Sequence, residues 1–201
     1  MKYHEIKIIL RQIDVMARAN MRSRYRKTFA GFIWVIINPM ILFAAQSIIF
    51  KYFLKLNIEH YFSFMLGGLI PWTFLSSTVL MGTPILQQCR ELLKAFNINP
   101  FVLVSAQVFD NAVNFLFTYI ILLIPMLIWG GASFIGIVFF PLAFILMLLS
   151  LGSFVWILSV FQIFLRDTSF VIAFVLNVMF FLTPIFYSKD FIPEGYRWLL
   201  N

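Results

Sequence analysis

The chain opens with a polar, periodic stretch and then turns apolar almost without a pause. Over residues 3–22, Ile6, Ile9, Leu10, Ile13 and Ala17 recur at three- and four-residue spacing on one helical face, with Lys7, Arg11, Asp14, Arg18 and Arg22 opposite. A short apolar stripe with a cationic back predicts a helix lying in a membrane interface. Apolar runs follow over residues 29–50, 62–81, 108–129, 134–164 and 169–187. Crossing a bilayer takes about 20 apolar residues, so each run reads as a span, and the fourth is long enough to tilt or to leave the hydrocarbon. The predicted fold is all-α: an amphipathic interface helix over residues 1–28, then a polytopic transmembrane helix bundle over residues 29–201.

Between the second and third spans, residues 82–100 break the hydropathy. Ile85, Cys89, Leu92 and Phe96 form one stripe, and Gln87, Arg90, Glu91 and Lys94 lie away from it. This predicts a second amphipathic helix, tethered at both ends to spans, with residues 97–100 as a turn. Helices held in this way can transmit a push. The third connection is the tight pair Gly130-Gly131, and the fourth is Arg166-Asp167.

Composition agrees with a membrane protein. The 201 residues are 62% hydrophobic and 11% charged, whereas a soluble domain has roughly a quarter of its residues charged. The 26 Phe exceed what two interfacial belts need, so many sit mid-span, and a minority is free to line a path. The net charge of +7 is local: eight of the fifteen Lys and Arg fall in residues 1–28. Arg22, Arg24, Arg26 and Lys27 abut the first span, which places the N-terminus in the cytosol. Residues 82–100 and Arg166-Asp167 then share that side, which collects eleven of the fifteen cations. A basic leader of this kind suits anionic lipid. Nucleic-acid binding would need a folded basic surface.

The candidate chemistry is sparse. One cysteine, Cys89, and two histidines, His4 and His60, exclude an internal disulfide and a Cys/His metal cluster. Cys89 sits in an apolar stripe and reads as a small hydrophobe. No paired acids, oriented histidine or activated nucleophile is apparent, so no catalytic residue is assigned. Asp110, with Asn111 and Asn114, is the one acidic cluster near a span. It lies at the rim if the span starts near residue 108, and deeper if the helix starts at Phe101, where an acid is a functional candidate. Other spans offer only Asn38, Gln46, Ser76, Ser77, Ser159 and Asn177, which supports a proton relay poorly. There is no G-x-x-x-x-G-K-[ST] loop, so any ATP is hydrolysed by another chain.

Four motifs then fall in order. They are Arg24-Tyr25-Arg26-Lys27-Thr28 with Gly31, Trp34 and Pro39; Leu66-Gly67-Gly68-Leu69-Ile70-Pro71-Trp72; Phe164-Leu165-Arg166-Asp167; and Phe181-Leu182-Thr183-Pro184-Ile185-Phe186-Tyr187 with Ile192-Pro193. Over nearly the whole chain this resembles the membrane subunits of type-2 ATP-binding-cassette exporters that export polysaccharide: O-antigen, capsule and teichoic-acid permeases. The resemblance implies a permease homodimer joined to two copies of an ATPase subunit, in a bacterial cytoplasmic membrane. ATP and Mg would act in that partner, with no cofactor bound by this chain. Residues 82–100 resemble the coupling loop, giving Gln87, Arg90, Glu91 and Lys94 as ATPase contacts. Trp34, Trp72, Phe74 and Tyr187 are candidates for the path of a lipid-linked glycan. Arg22, Arg24, Arg26 and Lys27 are candidates for its anionic head group. Family members continue to an Asn-Pro, a sixth span and a cytoplasmic tail, so the resemblance implies a chain truncated at its C-terminus. The alternatives are an exporter of a drug or lipid and, from another class, a membrane-embedded transferase acting on lipid-linked sugars.

Overall fold

A computed structural model describes residues 3–25, 34–49, 61–96, 98–128, 134–185 and 187. Among these described residues eight helices follow in order: α1 (Tyr3–Tyr25), α2 (Trp34–Ile48), α3 (Tyr61–Gly82), α4 (Ile85–Gln88), α5 (Arg90–Phe96), α6 (Pro100–Ile128), α7 (Phe134–Phe164) and α8 (Thr168–Leu182). The protein is an all-helical, multi-pass membrane bundle. Three helical stretches are long and apolar enough to cross a bilayer: Ser63–Gln88, Pro100–Ile124 and Phe134–Phe164. The described parts of α2 and α8, the first and fifth expected spans, have 15 residues each. Residues 29–33, 50 and 51–60 lie outside the described residues, as do 188–201.

α6 is the central helix, packing on α1, α2, α3, α4 and α7. It starts at Pro100, eight residues before the span read from hydropathy, and the cause is local. Asn99 Oδ1 accepts the Phe101 N–H at 2.9 Å, and Asn99 also supplies the carbonyl for Val102 N. An Asn cap followed by Pro in the first turn is a favoured helix start, because proline's missing N–H would have had no partner there. The Ser105 and Gln107 positions lower the hydropathy without ending the helix.

α3 and α6 run antiparallel, in a register fixed by Gln107 Nε2 against Met81 Sδ at 3.8 Å and by the Phe74 and Phe115 rings. α7 is antiparallel to α6, so Phe144 faces Phe115 and Phe140 faces Tyr119. Phe74 and Phe115 stack at 4.7 Å, and Tyr119 and Phe140 at 3.7 Å, almost parallel. Such pairs contribute about 0.5–1.5 kcal/mol each beyond the area they bury. They form the middle of a core that includes Met65, Leu66, Leu69, Ile70, Leu122, Leu151 and Val155.

Several helix hydroxyls bond back to their own helix, because lipid offers them no partner. Thr73 Oγ1 donates to Ile70 O, one turn back, just after Pro71. Ser76 and Ser77 do likewise, bonding to Thr73 O and Phe74 O. α8 stops at Leu182 rather than running on through the expected span to residue 187. Thr183 is extended, the conformation preferred before proline. Ile185 N then bonds back to Thr183 O at 2.7 Å, and the turn lays Ile185 on Gly68 of α3. A Cβ at Gly68 would approach Ile185 Cγ2 to 3.1 Å, a tight contact that the glycine relieves.

α1 packs on α6 rather than standing apart from the bundle. Ile9 and Ile13 are half-buried and Ala17 is buried, as their stripe predicts. Ile6 and Leu10, on the same apolar arc, are exposed and available to lipid. On the polar side, Arg18 Nε donates to Asp14 Oδ1 at 2.9 Å, and that hydrogen bond raises the guanidinium pKa further.

Candidate functional site

Two regions could do work: one end of the bundle, where two connections meet, and a polar stripe along α6. The meeting end is built by α3, α4, α7 and α8. At the foot of α3, Gly82 is buried against Val155 of α7. A Cβ there would lie 2.3 Å from Val155 Cγ1, so only glycine permits the approach. Thr83 Oγ1 bonds to Val79 O at 2.7 Å, and Gln88 N and Cys89 N continue the helical pattern onto Pro84 O and Ile85 O. α3 therefore passes through the Thr83-Pro84 turn almost directly into α4. The amphipathic segment expected over 82–100 is two short helices, with α4 against α6 and α7.

Leu86 of α4 is buried, and Cys89 is half-buried at its C-terminal cap. Burial pushes the Cys89 thiol pKa up, which keeps it protonated and unreactive near neutral pH. Arg90, Glu91 and Lys94 on α5 are exposed. Gln87 is placed differently from those three. It is half-buried, and its Oε1 accepts a hydrogen bond from Gln162 Nε2 of α7 at 2.9 Å. Gln162 also binds Arg166 O and receives the Ser169 N–H, both at 2.9 Å. These bonds put the α4 segment and the Arg166-Asp167 turn at the same end of the bundle, in line with the charge-based topology. Sequence reading passed over Gln162. The signal for it was an amide in the last turn of an otherwise apolar span, where a polar side chain needs a partner.

The polar stripe consists of Gln107, Asp110, Asn111, Asn114 and Thr118, at helical spacing on α6. All are buried except the half-buried Asn114. Because α6 starts at Pro100, Asp110 stands about 15 Å along it at ~1.5 Å per residue, and it is wholly enclosed. Of the two positions the sequence left open, the structure gives the deeper one. Asn114 Nδ2 approaches Asp110 Oδ1 at 3.5 Å, and Thr118 Oγ1 donates to Asn114 O at 3.0 Å. The α3–α6 register brings Thr78 level with this stripe. Thr78 Oγ1 and Asn114 Oδ1 are buried without a hydrogen-bond partner among the described residues. Also among the described residues, no three His, Cys, Asp or Glu side chains gather as metal ligands would.

The path candidates divide. Trp72 of α3 is half-buried against Phe180 of α8, ring centroids 5.8 Å apart. Tyr187 follows the turn that rests on Gly68, and its hydroxyl donates to Phe181 O and Leu182 O at 3.3 and 3.2 Å. It thus caps carbonyls that the end of α8 leaves free. Both belong to the α3–α8 side. Phe74 faces the other way, enclosed by Phe115 and Phe144. Arg22 is exposed near the end of α1. Arg26 and Lys27, and the side chains of Arg24 and Trp34, lie outside the described residues.

Comparison with known proteins bears on the whole chain. The pattern that defines the ABC-2 type transporter family matches residues 11–201. The O-antigen export system permease protein RfbA of Myxococcus xanthus is 27% identical over 179 residues, which cover 89% of this chain and 69% of that protein. A protein of the same description from Klebsiella pneumoniae is 24% identical over 188 residues, covering 93% of this chain and 73% of its own length.

Proposed function

The chain belongs to the ABC-2 type transporter family, and on that premise we propose that it is the membrane-spanning permease subunit of an ATP-driven exporter of lipid-linked polysaccharide. The glycan is of the O-antigen class and is moved outward across the bacterial cytoplasmic membrane. The observation that carries the substrate class is the similarity to relatives described as O-antigen export permeases over about nine-tenths of this chain. No other family of substrates has comparable support, so a drug or lipid exporter and a membrane-embedded transferase are not favoured.

In this reading the permease dimerises and binds two copies of a separate ATPase, in which ATP and Mg act. α5 suits the docking role. It is exposed, and it carries both signs of charge in Arg90, Glu91 and Lys94. It hangs between α4 and α6, so a displacement applied to it reaches two spans. The N-terminus lies in the cytosol, with α1 along the membrane surface. Arg22, Arg24, Arg26 and Lys27, next to the first span in the sequence, are the proposed partners of a lipid-linked pyrophosphate, since guanidinium groups bind such oxyanions bidentately. Trp72 and Tyr187 place aromatic surface on the α3–α8 side, where CH faces of sugar rings can stack.

Depletion of this chain in its native cell tests the reading. The expected outcome is loss of surface glycan with lipid-linked glycan accumulating on the cytosolic side. Unchanged surface glycan, with no accumulation, contradicts it.

A further inference from the structure

Gln162 belongs to none of the sequence motifs, yet it makes more connections than any other described polar side chain at its end of the bundle. It stands in the last turn of α7 and is 4% exposed. Its Nε2 donates to Gln87 Oε1 and to Arg166 O, and its Oε1 accepts the Ser169 N–H, each at 2.9 Å. The donors and the acceptor of one amide are therefore all used. Arg166 O lies just past the end of α7, and Ser169 N lies in the first turn of α8. Both are groups that helix ends leave without an intrahelical partner. No side chain of Asp167 caps α8, and Gln162 does so from the preceding helix. The same amide reaches a residue 75 positions earlier, on the connection between α3 and α6.

A second contact stiffens this joint. Gly82, the last residue of α3, and Val155 of α7 meet with no room for a Cβ, just before α4 begins. Leu86 adds buried apolar surface on α4. The α4 segment is therefore fixed to α7 by packing and by a half-buried hydrogen bond, and to the start of α8 through the same side chain. Leucine at 162 would leave Arg166 O and the Ser169 N–H unsatisfied. Glutamate would turn a donor toward neither Gln87 Oε1 nor Arg166 O. Only an amide carries both donors and the acceptor in this arrangement.

We infer that Gln162 is a positioning residue that makes the α4–α5 segment and the α7–α8 turn move as one body. Force applied by an ATPase to α5 would then reach α7 and α8 together with α3 and α6. The inference rests on the permease reading above for its functional consequence, and on the three hydrogen bonds for its mechanical content.

The test uses the complete permease–ATPase complex in membrane vesicles, with glycan export, ATP hydrolysis and permease abundance measured separately. Gln162→Leu leaves every proposed ATPase contact in place and removes the bonds to Gln87, Arg166 O and the Ser169 N–H, whereas Gln162→Glu keeps the acceptor for Ser169 and loses both donors. Each is expected to lower glycan exported per ATP at least fivefold, with abundance and ATP hydrolysis within twofold of the parent. A Gln162→Leu complex that exports within twofold of the parent per ATP overturns the inference. A second arm needs no transport: amide hydrogen exchange in the purified permease. Gln162→Leu is expected to lose protection at Ser169, whereas Gln87→Leu retains it. Unchanged protection at Ser169 in Gln162→Leu also overturns the inference. If the parent complex moves no glycan, the permease reading fails, and the exchange arm still decides whether the joint exists.

Discussion

Gly82 shows how much a single residue decides in this protein. A methyl group there would meet Val155 Cγ1 at 2.3 Å, against a side chain that is fully buried and cannot swing away. Overpacking of a core contact costs about 1–3 kcal/mol. Gly82→Ala is therefore expected to lower the thermal midpoint of the purified permease, and Gly82→Ala combined with Val155→Ala to recover part of the loss. A Gly82→Ala protein as stable as the parent would show that α3 and α7 do not approach so closely. At this scale the sequence was only partly legible. The glycine was visible, but its partner lies 73 positions away and no local pattern names it. Gln162 is the same case. An amide in an apolar run can be flagged as needing a partner, but Gln87, Arg166 and Ser169 become its partners only through the fold. Tyr187 is the converse. Its motif was plain, while its hydroxyl proves to cap the end of α8.

Helix types and most helix positions were legible at the scale of elements, because a bilayer leaves long apolar runs little choice. The errors lie at the ends, where capping overrides hydropathy. Residues 97–100 were read as a turn, whereas Pro100 already starts α6 behind the Asn99 cap and carries Asp110 further along the helix than hydropathy suggested; residue 97 lies outside the described residues. Thr183-Pro184 ends α8 earlier than apolar residues alone predict. The amphipathic leader was visible from its period. That it packs on α6 was not, because its apolar arc is wider than the contact and leaves Ile6 and Leu10 for lipid. Loss of an Asn cap costs about 0.5–2 kcal/mol. Asn99→Ala is accordingly expected to raise amide exchange at Phe101 and in the first turn of α6, with Asp110 and the middle of the helix unaffected. Equal exchange in both proteins at Phe101 would mean that the Asn99 side chain is not the cap.

For the whole molecule, the structure separates an aromatic core from the end of the bundle where two connections meet. The aromatic stack of Phe74, Phe115, Tyr119, Phe140 and Phe144 ties α3, α6 and α7 into one unit. At one end, the α4–α5 connection and the α7–α8 turn meet through Gln162. A load delivered there reaches the core helices without passing through a flexible loop. The outward face of α7, with Ile135, Val138, Phe139, Leu142 and Leu146 exposed, is apolar along its length and suited to lipid. Under the proposed function, the permease takes its energy from an ATPase docked on α5. The most direct measurement is purification of the tagged chain from its native membrane in mild detergent, with its partners identified and counted. The account predicts an ATPase bearing a phosphate-binding loop at one copy per permease chain. It also predicts that exchanging the charges, Arg90→Glu with Glu91→Arg, lowers recovery of that ATPase at least tenfold at unchanged permease abundance. A chain that purifies without any ATPase and still moves glycan would contradict it.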